Sequence, residues 1–145
     1  EEIYDTVMNS SPKGAVELFH GYTYSGIPIA VAAALAVQDI FEKEDIFKRS
    51  KEMSPYFLDG LFSLSDLNVV DNIRGYGMMG GIDMKLKEKP GRAGFECFKA
   101  CYEVGVNFKA TGDCLIIAPQ FICEKKHIDE IIEKLRTGIS NFMKK

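Results

Sequence analysis

The densest chemistry in the chain lies at His20–Pro28, HGYTYSGIP, which gathers one histidine, two tyrosines, a threonine, a serine and two glycines ahead of an apolar segment. Hydroxyl donors, glycines that expose backbone N–H groups and the positive end of a following helix suit an anion such as a phosphate. The same residues suit a plain polar loop in which Thr23 or Ser25 caps that helix, and caps are the commoner use of such residues. On residue types alone both readings stand.

A second motif, Gly75–Gly80 (GYGMMG), matches GxGxxG letter for letter. A dinucleotide fingerprint needs its last glycine to open a helix whose N-terminus faces the pyrophosphate. Here Gly81-Ile82-Asp83-Met84-Lys85-Leu86 alternates like a strand, so the expectation is a glycine-rich turn or bulge between strands. Cys97, Cys101, Cys114 and Cys123 show no CxxC spacing, and no metal site is expected. Cys97 and Cys101 stand one helical turn apart, where a buried thiol serves as a small apolar filler.

These residues must be held by helices and a small sheet. Ile3, Tyr4 and Val7 read as the tail of a helix that runs into an exposed loop at Asn9–Gly14. Pro28, tolerated in a first turn, opens a helix expected to reach about Lys43, and its alanines at 30, 32, 33, 34 and 36 allow another backbone to approach closely. Asp45 is placed to cap the next helix, with Ile46, Ser50, Met53, Phe57 and Leu61 recurring at steps of three and four, and Pro55 is expected to kink or break it near Ser54. After turn residues Ser63–Asp66 the period falls to two through Val69–Arg74 and Ile82–Leu86. A polar loop at Lys87–Gly91 leads to a third helix ending at Gly105, a left-handed cap. Short strands at Val106–Lys109 and Cys114–Ala118 flank a Thr111–Asp113 turn. Ile128, Ile131, Ile132, Leu135, Ile139 and Phe142 mark one face of a last helix finished by lysines. The sum is an α+β unit, a small, largely antiparallel sheet packed with helices.

Bulk properties narrow the partners. With 145 residues and 46% hydrophobic composition the chain can bury one ordinary core. Lys plus Arg is 18 against 21 for Asp plus Glu, with no basic stripe, so no nucleic-acid partner is expected. The apolar run Ile27–Val37 is broken by Pro28 and too short for a bilayer, and the opening Glu1-Glu2-Ile3-Tyr4 lacks a secretion-signal layout. The expectation is therefore no membrane and a cytoplasmic home.

HGYTYSGIP, with the AVAAALAVQDIF that follows closely, resembles the HGYTYSGHP-type segment of class III aminotransferases, which are fold-type I pyridoxal-phosphate enzymes. The likeness continues through NVVDNIRGYGMMGGIDM and VNFKATGDCLIIAPQF, similar to that family's strand pair and its late strand-turn-strand. EIYDTVMN and SPKGAVE look most like the omega-amino-acid:pyruvate branch, such as beta-alanine:pyruvate aminotransferases. The resemblance covers nearly the whole chain. It implies a C-terminal small domain: residues 1–26 would be a remnant of the large cofactor-binding domain with its phosphate-contacting loop, and 27–145 the connecting helix and small domain. It also implies pyridoxal 5'-phosphate as cofactor, a homodimer with the cofactor site at the subunit interface, and transfer of an amino group from an omega-amino acid or amine to pyruvate or another keto acid.

Carried over residue by residue, the resemblance makes Thr23 a donor to the cofactor phosphate of the partner subunit, with Gly21 allowing backbone approach and Tyr22 and Tyr24 walling the site. Lys109 falls where many members hold an arginine for the substrate carboxylate. Ile27 stands where the family usually has histidine. The Schiff-base lysine and the aspartate on the pyridinium nitrogen are expected upstream of residue 1; Lys13 does not sit in the matching motif. No catalytic residue is thus expected within these residues, and the fragment alone should be inactive. Two rivals are a stand-alone α+β ligand-binding or regulatory domain, and an aminomutase or racemase on the same scaffold.

Overall fold

The computed structural model describes residues 1–10, 21–85 and 90–144. The chain groups into two compact units, Glu1–Asp39 and Ile40–Lys145. Lys13, His20, the loop after Ser10 and Leu86–Lys89 fall outside the described residues.

In the first unit, α1 spans Glu2–Ser10. A turn at residues 23–26 precedes α2, Pro28–Lys43, most of which belongs to this unit. Pro28 at the first helical position leaves no N–H to satisfy, and Lys43 sits in the last turn where the dipole favours a cation. Ser25 and Thr23, both suited by type to cap this helix, lie inside the turn instead. The Ser25 N–H donates to the Tyr22 carbonyl at 2.9 Å, and the first bond into the helix runs from the Val31 N–H to the Ile27 carbonyl at 3.0 Å. Neither α1 nor α2 has a buried residue.

The second unit is built on α3, Ile46–Phe62. Asp45 occupies the N-cap position but adopts a left-handed backbone (φ 48°) with no side-chain capping bond, so the expected cap is positional only. Pro55 does not break α3. It lies on the exposed side, where the carbonyl one turn earlier, deprived of its partner, can turn to water. A 3₁₀ turn, Ser63–Asp66, then leads to β1 (Val70–Tyr76) and β2 (Met79–Met84). α4 covers Arg92–Glu103, β3 Lys109–Thr111, β4 Cys114–Ile117 and α5 Lys125–Met143. The sheet order is β1-β2-β4-β3 with every neighbour antiparallel, as the α+β reading requires.

The glycine-rich motif resolves into a hairpin. Tyr76 pairs with Met79 around a two-residue loop whose first position is Gly77, at φ 60°, as a type II′ turn demands. Gly75 and Gly80 face α3, where any side chain would run into Leu58 and Leu61; their absence lets the helix close on the sheet. β1 departs from simple alternation. A register shift between Val70 and Asn72 brings Val70 and Ile73, an odd number of residues apart, into the same core.

α4 ends as its glycine suggests: Gly105 is left-handed (φ 88°), its N–H meets the Tyr102 carbonyl at 3.0 Å, and the Val106 N–H meets Cys101 at 3.1 Å. Because Val106 is thus tied to the helix end, β3 starts at Lys109 rather than at Val106. α3, α4 and α5 contribute Phe57, Leu61, Cys97, Cys101, Leu135 and Ile139 to the core, against Ile82, Leu115 and Ile117 of the sheet. Cys97 and Cys101 are therefore the core fillers expected, while Cys114 and Cys123 are only half-buried.

Candidate active-site surfaces

Helices cover one side of the sheet, so alternate strand residues point the other way. Register places Arg74 opposite Gly81, Gly81 opposite Ile116 and Ile116 opposite Lys109, a single row across all four strands on the uncovered face. The neighbouring row holds Asp83, Cys114 and Thr111. An open groove of about 680 Å³ runs over this face, bordered by Arg74, Tyr76, Met79, Cys114 and Ile116.

Charge on this face is unevenly matched. Arg74 donates to Asp83 in an ion pair, and its Nη2 lies 3.4 Å from the Cys114 Sγ. The hydrogen bond from Arg74 holds the Asp83 carboxyl below the usual carboxylate range. Burial, with Asp83 nearby, pushes the Cys114 thiol up, which disfavours the reactive thiolate. Lys109 at the far end of the row is exposed and has no ion-pair partner among the described residues.

In the first unit, Tyr22 and Tyr24 are 70% and 81% exposed, and the Thr23 hydroxyl, also exposed, has no hydrogen-bond partner among the described residues. A Cβ on Gly21 would meet no atom within 4 Å. Thr23 and Lys109 belong to different units, and each is described within its own.

Sequence reasoning missed the supports of the Lys109 hairpin. Asp113 accepts the Gly91 N–H at 2.6 Å through Oδ2 and the Gly94 N–H at 3.2 Å through Oδ1. One signal was available: Pro90-Gly91-Arg92 opens a helix with no Ser, Thr, Asp or Asn ahead of it, so a cap had to come from elsewhere. The Arg74–Asp83 pair was detectable only with the hairpin register in hand.

The described sheet is thus antiparallel and backed by helices, with Arg74 and Lys109 as cations on its open face. The chain superposes on the omega transaminase from Pseudomonas jessenii in complex with PMP at a TM-score of 0.77 and 23% identity, over 99% of this chain and 32% of that one, a likeness of fold. The chain belongs to the class-III aminotransferase family, whose sequence profile matches residues 1–139. It is 36% identical over 136 residues to the omega-aminotransferase of Caulobacter vibrioides, covering 93% of this chain and 31% of that protein. To the beta-alanine–pyruvate aminotransferase of Pseudomonas aeruginosa it is 36% identical over 141 residues, covering 96% and 32%. The chain thus spans under a third of the length of these relatives. Among the described residues no helix is long and apolar enough to cross a membrane.

Proposed function

We propose that these residues form the C-terminal part of a pyridoxal-phosphate-dependent enzyme that moves an amino group from an omega-amino acid or amine to pyruvate or another keto acid. The observation that carries the proposal is Lys109. It is an exposed cation on the open sheet face without an acidic partner among the described residues, and by the resemblance it falls where many class III aminotransferases hold an arginine for the substrate carboxylate. The names of the Caulobacter and Pseudomonas relatives support the omega-amino and pyruvate assignments. Arginine would grip a carboxylate with a planar fork; a lysine ammonium is a point charge on a flexible stem, so it orients the carboxylate less strictly.

The residues around Thr23 fit the cofactor phosphate in kind. A hydroxyl with no partner among the described residues can donate to a dianion, and Gly21 leaves its backbone open to close approach. Pyridoxal phosphate, when bound, supplies the electron sink that stabilises negative charge on the reacting carbon. Thr23 donates to the phosphate of the partner subunit's cofactor, and Tyr22 and Tyr24 wall that site, so the working enzyme is a homodimer. Residues 1–26 belong with the large domain and 27–145 with the connecting helix and small domain. The lysine that handles the cofactor aldehyde lies outside these residues, and the chain alone transfers no amino group.

In the complete enzyme, Lys109→Ala should lower kcat/KM for carboxylate-bearing donors by about ten- to a hundredfold, the worth of a hydrogen bond to a charged group, and barely change simple amines. Equal losses for both would make Lys109 a surface lysine and remove the reading. Thr23→Ala should weaken cofactor binding by a similar factor. In a mixed dimer with subunits lacking the Schiff-base lysine, the single lysine-bearing site should regain near-normal affinity. A site as weak as in the Thr23→Ala homodimer would place the contact within one subunit.

A further inference from the structure

We infer that Asp113 is the positioning residue of Lys109, clamping the hairpin that presents it onto the start of α4. β3 is three residues long, lies at the sheet edge and pairs only with β4, so backbone bonding alone holds the Lys109 main chain loosely. α4 begins behind Gly91 with no capping side chain from its own segment, leaving N–H groups at its N-terminus to be satisfied. The Asp113 carboxylate takes two of them, from Gly91 at 2.6 Å and Gly94 at 3.2 Å, across 22 and 19 residues of sequence. A carboxylate at a helix N-terminus is favoured both by charge-assisted hydrogen bonding and by the helix dipole.

Three further contacts make this a clamp. Gly94 packs so tightly on the turn that a side chain there would run into the Gly112 carbonyl oxygen. The Asp113 carbonyl accepts the Met84 N–H at 2.9 Å, tying the same residue to the end of β2. On the other side of Lys109, the Phe108 ring meets Phe98 of α4 edge-on, with centroids 5.5 Å apart. Lys109 is therefore bracketed by two attachments to one helix, and its ammonium swings only from its own stem.

This inference rests on the carboxylate reading of Lys109. In the complete enzyme, Asp113→Ala should raise KM for carboxylate-bearing donors about tenfold, with kcat and simple-amine turnover nearly unchanged. Asp113→Asn keeps one acceptor oxygen and should recover part of that loss, and it carries the test alone if Asp113→Ala does not fold. Adding Asp113→Ala to Lys109→Ala should cost nothing more on carboxylate donors. Amide hydrogen exchange at residues 109–111 should speed up in both Asp113 variants. Equal losses on simple amines, additive losses in the double variant or unchanged exchange would overturn the inference. A Lys109→Ala enzyme that fails to discriminate donors would instead remove the carboxylate reading, and the clamp would then be accepted or rejected on exchange at 109–111.

Discussion

Two helices of similar length behave in opposite ways. α2, Pro-Ile-Ala-Val-Ala-Ala-Ala-Leu-Ala-Val and onward, is far the more apolar, yet none of its residues is buried. α5, rich in lysine, glutamate and aspartate, buries Ile128, Leu135, Gly138, Ile139 and Phe142. The difference is arrangement. In α5 the apolar residues recur at helical spacing and make one stripe, which α3 and α4 cover. In α2 alanines and branched residues go round every side, so no face is singled out; such a helix is suited to being enclosed, and its own unit encloses none of it. Apolar content says that a helix needs company, whereas periodicity says from which direction.

The largest expected effect would break this contrast if it failed. Leu135, fully buried, and Leu35, 64% exposed, are the same residue type in the two helices. Leu135→Ala should destabilise the chain to urea by about 2 to 5 kcal/mol, the range for a cavity in a packed core. Leu35→Ala should shift stability by less than about 0.5 kcal/mol. Equal losses would mean that α2 is packed after all.

A second, smaller effect sharpens the contrast by adding atoms instead of removing them. A Cβ at Gly138 would stand 2.6 Å from the Cys101 Cα and Sγ, where α4 and α5 touch backbone to backbone. Gly138→Ala should cost about 1 to 3 kcal/mol through overpacking, against the gain of up to about 1 kcal/mol that alanine usually brings to a helix. Ala33→Leu in α2, with no buried neighbours to displace, should leave the denaturation midpoint where it is.

Much of this was legible beforehand, for a reason. α5, the start of α2 at Pro28 and the left-handed end of α4 at Gly105 are marked by residues whose types act locally. β1 was not: alternation set Val69, Asp71 and Ile73 against Val70, Asn72 and Arg74, and the bulge after Val70 overrode it, because an extra unpaired residue leaves no trace in residue type. Of the two outcomes expected at Pro55, the break does not occur, because the rule concerns the backbone while the outcome depended on which side faced water. At the site, Lys109 could be placed only by resemblance, and its clamp joins residues 19 and 22 apart, contacts that no local spacing records.

The smallest expected effect lies on the open sheet face. Arg74 lowers the Asp83 pKa, so the ionised carboxylate contributes stability above its ordinary value near 4 and loses it as pH falls through the lower folded value. Asp83→Asn should flatten that acid limb by lowering stability at pH 7 by the same small amount, small because the pair is partly exposed, and leave stability below the folded value unchanged. An unchanged acid limb would show that the pair is not maintained in solution.

The four cysteines turn the molecule into its own clock. Cys97 and Cys101 are wholly enclosed where α4 meets the core, and the Cys97 thiol is pushed far up by its bond with Cys101 and by burial. A thiol reagent should therefore modify them only during moments when α4 lifts away. Cys114 and Cys123, half-buried, answer to smaller local openings. Timed alkylation of the unmodified chain would thus yield two rates from one sample: a fast one for the breathing of the sheet face and the segment before α5, and a slow one for the opening of the core, read residue by residue without any engineered probe.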